Sequence, residues 1–320
     1  MDIVYFIAQQ MMRFSIPLLI VALGGMFAER SGVVNIALDG IMIIGGFTGI
    51  LFINFMQSNV PEFFGQPLLL TALLISAATG ITMALPHAYA SIHMKASQII
   101  SGTAINMFAP AFAIFVARTY GSVQQIRFEN QFRIESVPLL GNIPLLGPLM
   151  FQNAFLTTYI GFIILVLSWL ILQKTRFGLR LRACGEHPQA ADSVGVAVYK
   201  MRYSGVLISG ALAGAGGLIF IVPTSTSFDA TVAGYGFLAL AVLIFGQWKP
   251  FRILTAALFF GLMKTISASY SGIPVLSGLG IPSEIYKMIP FIATLVVLAI
   301  TSKRSMAPKA IGVPYDMGSR

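Results

Sequence analysis

The chain has 320 residues, of which 57% are hydrophobic and only 10% are charged, whereas an average soluble domain carries about 25% charged residues. This composition excludes an ordinary soluble domain and indicates a polytopic membrane protein. The net charge of +9 therefore fits basic residues gathered in cytoplasmic loops, and we expect no nucleic-acid partner. Cys184 is the only cysteine, which excludes an intrachain disulfide and a thiolate metal site.

Nine segments approach the roughly 20 mostly apolar residues that a membrane-crossing helix needs. They predict an all-α, polytopic transmembrane helical bundle of about 8–10 spans, forming a single domain over residues 1–320. The first segment lacks the basic start and small-residue cleavage site of a signal peptide, so we expect it to remain in the mature chain. Segment 232–247 is short and fits a tilted or partial span. The nine segments are 4–28, 33–56, 67–89, 97–117, 153–173, 203–223, 232–247, 253–272 and 284–301.

The loop 174–202 fixes the predicted orientation because it holds six Lys and Arg residues, which favour the cytoplasmic side. Counting spans from this loop places Arg30, the turn QWKPFR and the tail 302–320 inside. The tail carries Lys303, Arg304, Lys309 and Arg320. The same count places the long loop 118–152 outside, where we expect it to lie on the membrane surface or form a short interfacial helix. Nine full spans put the N-terminus outside, whereas a broken helix within SGVVNIALDGIMIIGG would put it inside.

The cytoplasmic loop contains a predicted helix of about two turns. Pro188 suits the first helical position, where its missing N–H costs nothing, and Gly195 suits a left-handed C-cap. An element of this kind, parallel to the membrane and flanked by basic residues, favours docking to a partner. The alternative is an interfacial anchor, but the Ala-rich face offers no large apolar wedge of the kind that surface anchors use. Small residues at helical spacing follow the loop and favour close helix packing: Ser209, Gly210, Ala213, Gly214 and Gly217.

Four stretches carry a resemblance to a known family: ERSGVVNIALDGIMIIGGF, FGLRLRACGEHPQAADSVGVAVYKMRYSGVLISGALAGAGG, GYGFLALAVLIFGQWKPF and IGVPYDMGSR. Together they resemble the permease subunits of bacterial ABC importers in the branch for branched-chain amino acids, ribose-type sugars and nucleosides. The first and last stretches are most similar to the nucleoside, or simple-sugar-like, permeases. The sequence departs from the family pattern at Gln247, where Arg or Lys is usual, and at Trp248-Lys249-Pro250, where Trp-Asn-Pro is usual.

In the family that the chain resembles, a Gly-Glu-x-Pro-x-Ala-Ala run forms a coupling helix that sits in a cleft of the ATPase subunit. The resemblance therefore implies ATPase-coupling roles for Gly185, Glu186, His187, Pro188, Ala190, Ala191 and Asp192. It also implies a second homologous permease subunit in a heterodimer, an ABC ATPase subunit, an external substrate-binding lipoprotein and a lipid surround in the bacterial cytoplasmic membrane. The sequence contains no Gly-x-x-x-x-Gly-Lys-Ser/Thr loop, so we expect ATP and Mg²⁺ on the ATPase and no cofactor on this chain.

Polar and aromatic residues within the spans are candidates for a substrate path. They are Asn35, Asp39, Asn106, Phe108, Thr224, Ser225 and Tyr235, with Thr226 beside them. For each, the alternative is an interhelical hydrogen bond or core packing. Lys264 and Lys287 suit snorkelling to an interface. The three His residues show no ligand spacing, so no metal site is expected, and no nucleophile with a neighbouring base indicates catalysis.

Asp39 separates two classes of transporter. As a proton site it would favour an ion-coupled secondary carrier, whereas as a partner for a nearby cation or for backbone donors at a helix break it would be structural. The lack of a second acid–base partner favours the structural role. We therefore expect a non-enzymatic permease subunit of an ATP-driven importer that moves nucleosides into the cell. The alternatives are the same architecture carrying a simple sugar or branched-chain amino acid, a secondary carrier centred on Asp39, and a purely structural scaffold.

Overall fold

The computed structural model describes residues 2–60, 62–121, 125–138, 140–144, 147–272, 282–301 and 306–316. Each predicted span contains a helix, which confirms the all-α bundle. The helices are α1 (Asp2–Arg30), α2 (Leu38–Asn59), α3 (Gln66–Ile92), α4 (Gln98–Gly121), α5 (Leu156–Lys174), α6 (Arg176–Glu186), α7 (Pro188–Ser193), α8 (Val198–Thr224), α9 (Tyr235–Phe245), α10 (Pro250–Ser269) and α11 (Ser283–Thr301). Within the described residues, seven helices are long and apolar enough to cross a membrane: α1–α5, α8 and α10.

Helix α8 packs against α1, α2 and α3 along its small-residue face. A Cβ on Gly214 would lie 2.3 Å from the carbonyl oxygen of Ser76 in α3, and one on Gly45 of α2 would lie 2.4 Å from the Cα of Gly214. Gly80 of α3 faces Gly210 in the same way, because a Cβ there would lie 2.1 Å from the Gly210 carbonyl oxygen. The predicted close packing is therefore present, with backbones in direct contact.

The two ends of the bundle are distinguished by their contacts. At one end, Arg30 at the end of α1 meets the loop helices α6 and α7 through Glu186. At the other end, Gln9 near the start of α1 donates to the carbonyl of Pro148 in the long loop, 2.7 Å away. The N-terminus and the long loop thus share one side, and the basic loop lies on the other. With the basic loop cytoplasmic, the N-terminus faces outside.

Two segments interrupt the helical crossings. Residues 31–37, which we call the inner break, are not helical, so α2 begins at Leu38 rather than near 33. Asn35 in the inner break donates to the hydroxyl of Ser209, the twelfth residue of α8. Residues 225–234, which we call the outer break, return from the outer end of α8 to the start of α9, whose 11 residues confirm a partial span. The basic loop itself is shorter than predicted, because α8 begins at Val198.

The described residues of the long outer loop form small strands and single helical turns rather than an interfacial helix, which was one of the two alternatives that the sequence predicted. Strand β1 (Ile126–Arg127) pairs antiparallel with β4 (Ser227–Phe228) of the outer break, and β2 (Arg133–Ser136) pairs antiparallel with β3 (Gln152–Phe155). Single turns of 3-10 helix (Leu140–Asn142) and π-helix (Gly147–Phe151) lie between β2 and β3. The β1–β4 pairing ties the loop to the outer break.

The predicted tail is described only from 306 to 316. Lys303, Arg304 and Arg320 therefore lie outside the described residues. We call residues 306–316 the C-terminal strap, because they run across the cytoplasmic end of the bundle.

Candidate functional site

The cytoplasmic loop folds into two helices, of which the sequence predicted the second. Thr175 caps α6, its hydroxyl oxygen accepting from the N–H of Gly178 at 3.1 Å. Helix α7 begins at Pro188, and Gly195 after it has φ +82°, with its N–H donating to Asp192. The predicted start and left-handed end of α7 are confirmed. The surface that α7 exposes, which we call the docking surface, comprises His187, Gln189, Ala190, Ser193 and Val194.

Three of the predicted coupling residues face inward. Pro188 and Ala191 are buried, and Gly185 is so close to α1 that a Cβ there would lie 2.4 Å from the Arg30 carbonyl oxygen. Val194, which the sequence analysis did not single out, is 78% exposed. The predicted run thus divides into an inward half that fixes the helices to the bundle and an outward half that is available to a partner.

Polar contacts join the end of α6 to two other parts of the chain, the end of α1 and the turn between α9 and α10. The Arg30 guanidinium lies 3.7 Å from the Glu186 carboxylate and donates to the carbonyl of Trp248 at 3.1 Å. The indole N–H of Trp248 in turn donates to the buried Glu29 carboxylate. Gln247 and Trp248 both have positive φ, 51° and 53°, which makes the turn between α9 and α10 tight. These contacts connect the end of α6 to the end of α1 and to the turn between α9 and α10.

The C-terminal strap connects the same elements a second time. The N–H of Ala310 donates to Gly185, and the N–H of Gly312 donates to Gly32, at 2.9 and 3.0 Å. Arg202, 1% exposed at the start of α8, donates to the carbonyl of Val313 at 2.9 Å. The strap therefore connects α6, the inner break and α8 to one another.

The strap ends in a small cluster against α7. Tyr315 packs with Cys184, Ala191 and Val198 and hydrogen-bonds the Asp192 carboxylate. Burial, followed by that hydrogen bond, raises the pKa of Tyr315 to about 12. Burial also raises the pKa of the Cys184 thiol to about 11. Asp192 thus acts as an acceptor for the strap. Beyond it, Asp316 lies 2.9 Å from the ammonium of Lys95, whose pKa is raised by that hydrogen bond.

Three of the predicted path residues meet at the inner break. Asn35 donates to the Ser209 hydroxyl at 2.9 Å, and Asn106 accepts from the N–H of Gly40 at 2.7 Å while donating to Ile36. Asp39 accepts from the N–H of Gly236 at 2.8 Å, which joins the start of α2 to the start of α9. These contacts satisfy backbone groups that the break frees, as membrane interiors require. The structural alternative for these residues is thus realised.

The remaining path residues are dispersed. Thr224 and Ser225 bond to nearby backbone at the end of α8, as does Thr226, whose carbonyl accepts from Phe128. Phe108 lies half-exposed on α4, stacked on Phe112 with ring centroids 5.2 Å apart, away from the break. Tyr235 is 1% exposed, at the start of α9.

Two buried polar groups escaped the sequence analysis. His87 of α3 is fully buried and bridges the Ser101 hydroxyl and the carbonyl of Val34, which pins the inner break to α3 and α4. Gln98 accepts from the N–H of Val34 at 2.7 Å. The sequence feature that could have identified both residues is a polar side chain within or beside a predicted span. Among the described residues, no group of three or more His, Cys, Asp and Glu side chains is arranged to hold a metal ion.

In the described part of the chain, seven helices long and apolar enough to cross a membrane, with the short exposed helix α7 at one end, define a multi-pass membrane protein. Residues 7–298 match the family described as branched-chain amino acid transport system / permease component. The chain belongs to this family, and it is a multi-pass protein of the cytoplasmic membrane. No solved structure matches it.

Relatives match almost the whole chain. It is 44% identical to the guanosine ABC transporter permease protein NupQ of Bacillus subtilis, over 96% of this chain and 95% of that protein. It is 39% identical to the nucleoside ABC transporter permease protein NupC of Lactococcus lactis, over 97% and 96%. The same two bacteria have more distant relatives. NupP is 22% identical over 93% of this chain and 82% of that protein, and NupB is 25% identical over 95% and 84%.

Proposed function

We propose that this chain is the permease subunit of an ATP-driven importer that moves nucleosides across the cytoplasmic membrane. The observation that carries the proposal is the full-length similarity to permeases named for guanosine and nucleoside transport. The last motif of the sequence supports the same branch. A neutral, hydrogen-bonding solute also suits a bundle whose described mid-membrane polar groups are mostly amides and hydroxyls.

The energy for transport comes from a separate ATPase subunit, which holds ATP and Mg²⁺. That subunit docks on His187, Gln189, Ala190 and Val194 of the docking surface, which are exposed. When the ATPase moves α7, the inward contacts carry the motion onward. One route runs through Glu186 and Arg30 to the end of α1, and the other through the C-terminal strap to the inner break. Both routes end at segments where the membrane helices are interrupted.

A second, non-identical permease completes the membrane unit. This proposal is supported by the two related permeases found in each of two bacteria, one much more similar to this chain than the other. An external binding lipoprotein delivers the nucleoside to the outer face, where the β1–β4 pairing joins the long loop to the outer break.

Asp39 has a structural role in this mechanism. Its carboxylate accepts from the first turn of α9 and lies in the first turn of α2, and helix N-termini stabilise a negative charge. The contact joins the start of α2 to the start of α9, which is what a structural partner for backbone donors at a helix break would do. This geometry favours the structural role over a secondary carrier centred on Asp39.

Uptake of radiolabelled guanosine by cells with and without the chain tests the proposal. ATP and the proton gradient are depleted separately, and uptake should follow ATP. Ala190→Trp, on the docking surface, should abolish uptake and ATPase co-purification while leaving the amount of permease in the membrane unchanged. Ala190→Ser is the matched control, because it keeps the small exposed side chain. Uptake that follows the proton gradient, or normal uptake by Ala190→Trp, would contradict the proposal.

A further inference from the structure

Lys264 is a partly buried cation of the bundle that has no ion pair with any described residue. It lies on α10, and within the described part of the chain no carboxylate lies within 4.0 Å of its ammonium group. The ammonium instead lies 5.8 Å from the centre of the Tyr235 ring. An ionisable group within a membrane span is costly unless it has a partner, so it marks a functional position more often than a structural one. The snorkelling expected from the sequence does not account for its contact with an aromatic face.

Tyr235 brings a second unsatisfied group to the same place. Its side chain is 1% exposed, yet among the described residues its hydroxyl has no hydrogen-bond partner. Buried hydroxyls are nearly always paired, and leaving one unpaired is unfavourable. Among the described residues, the phenol has no hydrogen-bond partner and the ammonium has no carboxylate partner, so together they form a site for a ligand that supplies acceptor atoms.

The surroundings of this pair suit a flat ligand and a movable closure. The Phe220 ring, one turn before the end of α8, lies against Tyr235 with centroids 4.1 Å apart, so the site is closed in this conformation. The outer break that leads into Tyr235 has three residues with positive φ: Ala230 at 55°, Ala233 at 52° and Gly234 at 74°. For alanine this conformation is strained, and such strain gathers at gates and binding sites.

From these contacts we infer that Lys264 and Tyr235 form a selecting site for nucleosides whose base carries a carbonyl group. Movement of the outer break separates the Tyr235 and Phe220 rings, and the base stacks between them. The Lys264 ammonium, which can only donate, then hydrogen-bonds the carbonyl oxygen, and the Tyr235 hydroxyl pairs with the same edge of the base. The inference rests on the proposed function, since it names the part of the nucleoside that the permease distinguishes.

The chemistry of this site predicts which of two similar nucleosides it favours. Inosine and adenosine differ along one edge of the purine: inosine has a carbonyl oxygen at C6 beside an N1–H, whereas adenosine has an amino group at C6 beside an unprotonated N1. An ammonium that faces the carbonyl oxygen of inosine donates a charge-assisted hydrogen bond to it. An ammonium that faces the amino group of adenosine meets another donor, so no hydrogen bond forms between them. Sites built on such hydrogen bonds discriminate strongly against an analogue that cannot complete them.

The test measures initial uptake of inosine and of adenosine by the assembled transporter and compares their ratio between variants. The binding lipoprotein is the same throughout, so a change in the ratio arises in the permease. Lys264→Met should lower the inosine-to-adenosine ratio about tenfold, as expected for loss of a hydrogen bond to a charged group, whereas Lys264→Arg should preserve it. Tyr235→Phe keeps the ring and should lower the ratio about threefold. Lys287→Met, which removes an exposed lysine from α11, is the control and should leave the ratio unchanged.

Each outcome bears on a different claim. No nucleoside uptake by the wild-type transporter would overturn the proposed function and this inference together. Nucleoside uptake with a ratio that Lys264→Met leaves unchanged, or lowers no more than Lys287→Met does, would overturn the selecting site alone. If Lys264→Met does not reach the membrane, the uptake ratios of Lys264→Arg and Tyr235→Phe test the selecting site. A preserved ratio in the first and a lowered ratio in the second support the site, and any other pair of results refutes it.

Discussion

The bond between Glu29 and Trp248 offers a sharp test of how the cytoplasmic end is held together. Both side chains are nearly fully buried, 4% and 5% exposed, and the indole N–H donates to the carboxylate. Trp248→Phe keeps most of the aromatic volume but removes the donor. Leaving a buried hydrogen-bonding group without its partner costs about 1–3 kcal/mol. We therefore expect Trp248→Phe to lower the free energy of unfolding by about 1–3 kcal/mol.

A second substitution separates the lost bond from lost packing. Glu29→Met removes the acceptor and leaves the indole N–H without its partner, so alone it should also be destabilising. In the Trp248→Phe background it should recover about half of the lost stability, because neither buried partner of the bond then remains unsatisfied. The assay is unfolding by denaturing detergent in mixed micelles, followed by circular dichroism. Equal stability of Trp248→Phe and the double variant would refute the reasoning, since the loss would then come from packing.

Two further predictions concern α8 and the strap. Gly214→Val should lower the midpoint of thermal unfolding, at a cost of about 1–3 kcal/mol or more, because the new side chain meets the backbone of α3 at Ser76. Ala211→Val changes a half-buried residue of the same helix and should have little effect, so an equal shift in both variants would contradict the backbone contact. Cys184, with its pKa raised to about 11 by burial, should resist maleimide at pH 8, because thiolate is the reactive form, while Val194→Cys in a Cys184→Ala background should react within minutes. Rapid labelling of Cys184 would show that the strap does not cover it.

The structural elements that can be predicted from the sequence are those determined by the residues within them. Apolar length gives the spans, and Pro188 and Gly195 give the two ends of α7, since each residue suits its position whatever surrounds it. The inner break was left open, because the glycines of residues 31–46 are compatible with both a continuous helix and an interrupted one. Only the partners of the freed backbone groups, such as Gln98 and His87, decide between the two, and those lie more than 50 residues away.

The path residues show the same limit. Polarity within a span identifies Asn35, Asp39 and Asn106, but their partners could not be read from the sequence. Phe108 was selected for its aromatic ring, yet α4 turns it away from the break. Lys264 was assigned to an interface, because nothing in its own helix indicates that the ring of Tyr235 from α9 lies beneath it.

The strap has a practical consequence for anyone producing this protein. Asp316 pairs with Lys95, and Tyr315 beside it packs against Ala191 of α7. An affinity tag or fluorescent protein placed directly after Asp316 would therefore begin beside the face where the ATPase is proposed to bind. The start of α1 contacts the outer loop instead, at Pro148. A tag placed at that end leaves the coupling face unobstructed.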